Sequence, residues 1–262
     1  MTLFIGFIIP LISVLFFFLL YKKLNNPSVI DIAWGINVFL PVSWYLSQYY
    51  STTSTISIVF CLLAMLWGLR LTSHIGYRNL TEEVDGRYHE FERKWKEQDS
   101  NYKNPDRNYL QFFLIQSTMS FMLSLPFYFA LKNPLPSSSI LWTIFALIFI
   151  ALVFEAIADY QLLSFKRSKV KTSRVCKTGL WRYSRHPNYF FEISIWVLVA
   201  VVSLWLPWGF VFIGLPLMIG FFILNVTGIP AAEAQAISTR GQEYKDYVEQ
   251  TSSIIPWFPK KL

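Results

Sequence analysis

Gly179-Leu180-Trp181-Arg182-Tyr183-Ser184-Arg185-His186-Pro187-Asn188-Tyr189-Phe190-Phe191-Glu192 is the densest polar and aromatic cluster in a very apolar chain. It closes a basic segment, with eight Lys or Arg residues between Lys166 and Arg185. Apolar sequence flanks it on both sides. A positive loop between membrane helices needs no role beyond setting topology. The polar run continues past the membrane edge, however. His186, Asn188 and Glu192 lead into the next apolar segment, where polar groups are costly and tend to be functional or paired. A basic loop feeding a buried helix start is a place where a membrane enzyme can hold an anionic cofactor.

The composition agrees with that reading. Of 262 residues, 54% are hydrophobic and only 15% charged, with 24 Phe, 14 Tyr and 10 Trp. These proportions are those of a polytopic membrane protein. The net charge is +7, but the cations sit between apolar runs and form no nucleic-acid footprint. Cys61 and Cys176 give neither a disulfide framework nor metal spacing. His74, His89 and His186 are too dispersed for a zinc site. The apolar N-terminus lacks a basic lead and a small-residue cleavage site, so it is expected to be a retained helix.

Seven apolar stretches follow one another, at 3–21, 29–49, 56–74, 109–131, 140–160, 190–205 and 208–228. Most approach the roughly 20 residues that a helix needs to cross a bilayer. The sixth is short, and a start near Pro187 would suit a first-turn proline. With the N-terminus outside, the inner segments hold 21 of the 23 Lys and Arg. Lys132 is outside and Arg70 lies within the third stretch. The positive-inside rule then predicts an all-α membrane protein of seven transmembrane helices, N-terminus outside and C-terminus cytoplasmic. The chain is expected to be a single membrane domain over 1–262, with cytoplasmic loops at 76–108 and 161–187 and a cytoplasmic tail at 229–262. The turn at 206–208 is very tight and predicts a helical hairpin.

Asp31, Arg70, Glu155, Asp159, Asn188 and Glu192 fall in or at the ends of these spans. Uncompensated charge in hydrocarbon costs several kcal/mol, so they are expected to face each other or a wet cavity. Glu155 and Asp159 share a helix face, as do Asn188 and Glu192. All lie at one depth, just inside the cytoplasmic leaflet. A structural salt-bridge network is the plain alternative. The ligand implied is anionic at one end, where Arg can fork onto phosphate, and apolar at the other. Reduction or methyl transfer on a lipid, transport, and a scaffold role all remain open on these residues alone.

Gly-Leu-Trp-x-Tyr-Ser-Arg-His-Pro-Asn-Tyr-Phe-x-Glu at 179–192 resembles the hallmark of the steroid 5-alpha-reductase superfamily, and more closely its bacterial branch of uncharacterised membrane proteins. Asp31-x-x-Trp34-Gly35, Trp67-Gly68-Leu69-Arg70-Leu71, Asp85-Gly86-Arg87-Tyr88 and Ile255-Pro256-Trp257 resemble that branch in the same order. The resemblance implies the seven-helix fold, NADPH as cofactor in a cytoplasmic-side cavity, and reduction of a carbon–carbon double bond conjugated to a ketone. The substrate would be an apolar steroid-, sterol- or other lipid-like molecule. The branch and the short loops point to a bacterial inner membrane rather than the endoplasmic reticulum.

Carried over residue by residue, the resemblance puts Asn188 and Glu192 near the nicotinamide and Asp159 at the adenosine. Lys166, Arg174, Arg182 and Arg185 fall to the phosphates, with Tyr183 as a hydroxyl partner. Glu155, Arg70, His186, Tyr189 and Tyr244 complete the cofactor set. Asp31 sits roughly where the steroid reductases keep the glutamate of their polarising pair. The partner tyrosine belongs on the third helix, where this chain has Trp67, with Tyr77 further on. Asp31, Trp67 and Tyr77 are therefore the catalytic candidates. Since Trp has no phenolic proton, another tyrosine serves, or Asp31 acts with water, or the substrate is no ordinary enone.

Glu233, Gly241, Tyr244 and Tyr247 ahead of Ile255-Pro256 also resemble the ending of isoprenylcysteine carboxyl methyltransferases. An S-adenosylmethionine-dependent methyltransferase is thus the first alternative, and a non-catalytic lipid-binding protein the second. The segment 76–108 is expected to be surface, His89 and Asp85 included, or to lid the site through Arg78, Arg87 and Tyr88. Phe-rich runs are expected to face lipid or pack, Cys176 to be a loop thiol, and Gly209, Gly214 and Gly220 to aid helix packing.

Overall fold

A computed structural model describes residues 1–81, 86–98, 104–168, 173–226 and 228–260. Asp85 of the third motif and the cations Lys103, Lys169, Lys171 and Lys261 lie outside the described residues. The chain is an all-α polytopic membrane protein. Among the described residues six helical stretches are long and apolar enough to cross a membrane: Thr2–Leu24, Pro27–Tyr49, Thr55–Asn79, Asp106–Lys132, Ser139–Arg167 and Gly209–Arg240. Pro187–Ser203 is a shorter apolar helix. In hydrocarbon only closed backbone hydrogen bonding is tolerated, which is why such runs form helices.

The chain divides into two compact units, one comprising Met1–Phe145 and Val202–Phe212, the other Ala146–Val201 and Ile213–Leu262. The first contains α1 (Thr2–Leu24), α2 (Ile30–Tyr49), α3 (Thr55–Thr81), α4 (Gly86–Gln98) and α5 (Asp106–Lys132). α2 is its hub, packing on α1, α3 and α5. The α1 span is the most apolar yet only 22% buried, against 56% for the span containing α2. Lipid, not protein, is the natural partner of the outer helix face.

α2 and α3 cross at Gly35 and Gly68. A Cβ on Gly35 would lie 2.2 Å from the Gly68 carbonyl oxygen, and one on Gly68 would lie 2.7 Å from the Gly35 oxygen. Both glycines belong to sequence motifs, and their role is to let two backbones touch. Serines bind the far end: the Ser57 hydroxyl donates to the Ala130 carbonyl (2.7 Å) and accepts the Leu135 N–H (3.0 Å).

α4 was expected as loop surface or lid. It is an amphipathic helix seated on an aromatic floor of Tyr21, Tyr109 and Phe113. Trp95 meets Tyr109 edge-on at 5.0 Å, and the Tyr109 hydroxyl donates to Glu92 (2.7 Å). His89 is exposed, as expected.

α6 (Ser139–Arg167) runs from the first unit into the second. α7 (Pro187–Ser203) starts on the proline, as its sequence suggested. The turn after it is as tight as expected. Trp208 has φ 60°, and a Cβ on Gly209 would lie 1.7 Å from the Ser203 carbonyl oxygen. The last apolar stretch is not one regular helix: a 3-10 turn (Gly209–Ile213), α8 (Gly214–Phe221) and a π turn (Phe222–Val226) succeed one another. The packing role expected of Gly214 and Gly220 is not seen, since a Cβ at either meets nothing within 4 Å. The tail is α9 (Ile229–Arg240), α10 (Gln242–Gln250) and an extended end.

Gly35→Val must push α2 and α3 apart. We expect a loss of about 1–3 kcal/mol, as for other overpacked cores, read as a lower Tm in detergent. Gly214→Val, at an open position, should leave Tm unchanged.

Candidate functional site

In the second unit the motif at 179–192 is nailed to α6. Gly179 has φ +59°, and a Cβ there would strike the Gln161 side chain. The 3-10 turn Gly179–Arg182 buries Trp181, whose indole N–H donates to the Ala158 carbonyl (2.9 Å), and the Leu180 N–H reaches Gln161 Oε1 (2.9 Å). This sets the start of α7 beside the acidic face of α6. There the Asn188 Nδ2 donates to Asp159 Oδ1 (3.1 Å). Asp159 is 7% exposed and Glu155, one turn earlier, 4%. One turn along α7, Glu192 accepts the Trp196 indole N–H (2.9 Å). The Asn188 Oδ1 is buried and accepts no hydrogen bond among the described residues.

The other half of the motif holds the tail. Residues 183–186 pair with the extended end through Arg185 N–H to Ser252 O (2.8 Å), His186 N–H to Ser253 O (3.1 Å) and Trp257 N–H to Tyr183 O (2.8 Å). The Arg185 guanidinium donates to Glu233 Oε1 (2.8 Å) and to the carbonyls of Val248 (3.0 Å) and Thr251 (2.6 Å). His186 Nε2 lies 3.1 Å from the same Glu233 oxygen and stacks on Tyr189. The Tyr247 hydroxyl donates to the carbonyls of Trp181 and Ser184. Burial pushes the Tyr247 phenol well above its usual range, so it stays a donor. Tyr244 packs with Val175, Ala236 and Tyr247, and burial raises it to about 12.

The first unit has its own polar centre. Asp31, 6% exposed, stands in the first turn of α2, where the helix dipole favours an anion. Its Oδ2 accepts from Arg87 Nη2 (2.9 Å), with Arg78 Nη2 at 3.8 Å, and its Oδ1 accepts the Tyr88 hydroxyl (2.8 Å).

A family model described as "Protein of unknown function (DUF1295)" matches residues 17–251. The chain belongs to the DUF1295 family. No curated protein and no solved structure matches it.

Within this DUF1295 chain, then, the residues expected at the cofactor fall into three groups, besides Arg70, which is half-buried on α3 of the first unit. Asp159 and Asn188 are brought into contact, with Glu155 and Glu192 one turn away on the same two helices. Arg185, His186, Tyr189 and Tyr244 are drawn into the tail junction. Lys166, Arg174, Arg182 and Tyr183 are exposed. Of the catalytic candidates, Asp31 is buried, Trp67 is buried within α3, and Tyr77 is 48% exposed. The tyrosine that reaches Asp31 is Tyr88. Sequence reasoning saw it only as part of a lid. The adjacency of Arg87 and Tyr88 in a conspicuous motif was the available signal.

Two predictions follow from the tail junction. Glu233→Ala strands the Arg185 cation, whose side chain is 10% exposed. Breaking a buried pair in this way costs about 3–5 kcal/mol, and limited proteolysis should then cut first between 240 and 260. The second concerns Glu243, which accepts from the Ser173 hydroxyl and from the Arg174 N–H (3.0 Å), with Lys177 at 3.8 Å. These contacts, the Ser173 hydroxyl foremost, hold its carboxyl below the usual value. Such a group stabilises fully above its unfolded pKa of about 4.3 and ceases to do so as pH falls through its lower folded value. Glu243→Gln should therefore lower Tm at pH 7, with the gap to wild type closing below about pH 4; a gap indifferent to pH would mean that Glu243 acts through packing alone.

Proposed function

We propose that this DUF1295 protein engages a lipid-like molecule along its apolar, partly buried helices. More specifically, we propose that it reduces a carbon–carbon double bond conjugated to a ketone in that molecule, using NADPH. The membrane-embedded helices support the first half directly. The second half rests on the site in the second unit and on the likeness of its motif to the steroid 5-alpha-reductases. On this reading the short helix Pro187–Ser203 is a seventh span. Its 17 residues cover about 25 Å, the lower end of what crosses a bilayer. The charge distribution then places the N-terminus outside and the C-terminus in the cytoplasm.

The observation that carries the cofactor reading is the Asn188 carboxamide. Its Nδ2 is committed to Asp159, while its Oδ1 is buried with no donor among the described residues. A buried acceptor left unmet costs about 1–3 kcal/mol. The primary amide of a nicotinamide presents the donor that it lacks. The exposed Lys166, Arg174 and Arg182 suit phosphates, and Asp159, which touches Asn188, suits a hydroxyl of the nicotinamide ribose. The residues therefore fit the group. When bound, NADPH supplies a hydride to the β carbon of the enone. The protein's task is to orient the amide through Asn188, exclude water, and polarise the ketone. Among the catalytic candidates of the first unit, Tyr88, held with Arg87 on Asp31, is the phenol that Trp67 cannot be. A proton to the α carbon completes the reduction.

The exposed apolar helices speak more directly for lipid binding than for redox chemistry, and a non-catalytic lipid-binding protein is the second reading. Titration of the detergent-solubilised protein, followed by its tryptophan fluorescence, separates the two. We expect NADPH to bind at micromolar concentration and Asn188→Leu to weaken it about tenfold, the worth of one hydrogen bond. Binding of S-adenosylmethionine alone would convert the site to methyl transfer. Binding of neither by folded protein would leave the lipid-binding reading standing.

A further inference from the structure

Polar side chains sealed inside a membrane bundle need a partner, because hydrocarbon supplies none. Most of those in the first unit have one. Ser120 and Ser124 bond back to the carbonyls of Gln116 and Phe121, and the Tyr45 hydroxyl lies 3.4 Å from Ser124. Among those that do not, four belong to α1, α2 and α5: Ser13 Oγ, Asn37 Oδ1, Gln116 Oε1 and Ser117 Oγ are buried and hydrogen-bonded to nothing among the described residues. Asn37 and Ser117 are each 1% exposed and Gln116 8%. All four lie on α1, α2 and α5, which pack mutually.

The register of these helices brings the four to one level. Below them, Val14 of α1, Ala33 of α2 and Phe113 of α5 share one apolar cluster. Above them, the Tyr45 ring of α2 lies against Gly6 of α1, and Phe7 of α1 meets Phe121 of α5 at 5.1 Å. Ser13 falls between Gly6 and Val14, Asn37 between Ala33 and Tyr45, and Gln116 and Ser117 between Phe113 and Phe121. On α2, Asn37 continues the stripe of Ala33, Pro41 and Tyr45 at one-turn spacing; on α5, Ser117 continues that of Phe113. Asn37 carries a further acceptor. Pro41, one turn on, has no N–H to give to the Asn37 carbonyl.

The chemistry of the set is one-sided. Two amide oxygens and a helix carbonyl accept only, while the two hydroxyls can turn to accept or donate. Such a layer is complementary to an O–H donor. We propose that α1, α2 and α5 form a mid-membrane site, distinct from the Asp31 and Asn188 centres, that binds the hydroxyl group of an alcohol-bearing lipid through Asn37, Gln116 and Ser117. The proposal deepens the lipid-binding reading and rests on it. Ordered water is the other source of the same O–H chemistry.

Two probes separate these sources: hexadecanol, and hexadecyl methyl ether, which matches its chain but has no donor. In detergent, hexadecanol should raise the Tm of the wild-type protein by about 3 °C, and the ether should not. Asn37→Leu/Gln116→Met, which replaces the amides with apolar groups of similar size, should lose the distinction. Ser117→Ala, a milder change, should reduce it and serves if the double variant does not fold. Equal shifts with both probes would leave lipid binding intact and overturn the hydroxyl site. No shift with the alcohol would assign these atoms to water, and a distinction that survives in the variants would place the alcohol elsewhere; either overturns the proposal.

Discussion

Hydrocarbon offers no hydrogen bonds, and that single constraint accounts for most of what this chain does with its polar residues. Each buried polar group has had to find its partner inside the protein. The Trp181 indole finds the Ala158 carbonyl, the Ser57 hydroxyl finds Ala130, and the Trp196 indole finds Glu192. Asp31 gathers Arg87 and Tyr88. The few groups that find none then stand out as places where something else belongs. Burial of an unmet acceptor is too costly to be incidental at Asn37, Gln116 and Asn188 together.

The same constraint gives the basic motif two jobs. Its first half fixes α7 against α6 and puts Asn188 on Asp159. Its second half fastens the tail. Arg185 forks onto one carboxylate and two carbonyls, a pattern for which a planar guanidinium is suited and an ammonium is not. A residue read from its motif as a phosphate ligand thus has a structural occupation. Arg182 and Lys166, by contrast, are exposed.

The fold was largely legible in the sequence. The first six apolar runs appear as helices near the expected bounds, and Pro187 begins α7 because its missing N–H costs nothing in a first turn. The tight turn before Gly209 was legible too, since only a few residues separate two apolar runs. What the sequence hid were pairings between distant segments. Tyr88 reaches Asp31 only because α4 folds onto the aromatic floor laid by α1 and α5, and no periodicity announces that docking. Gly35 and Gly68 were noticed as parts of motifs, but their meaning needed the crossing of two helices. The contact of Asn188 with Asp159 was foreseeable in depth and not in partner, because helix spacing gives a face and no neighbour.

The Arg185–Glu233 junction also sets an order of events during synthesis. Glu233 lies 48 residues after its partner, which at ribosomal speed is a delay of roughly 2–10 s. Throughout that interval Arg185 stands at the start of a nascent apolar helix without its acid. It must wait in water, beside the other cations of its loop. Only when α9 emerges can the acid arrive, the arginine turn inward, and the tail close over the loop. One side chain thus stands first as an open cation and afterwards as a bolt.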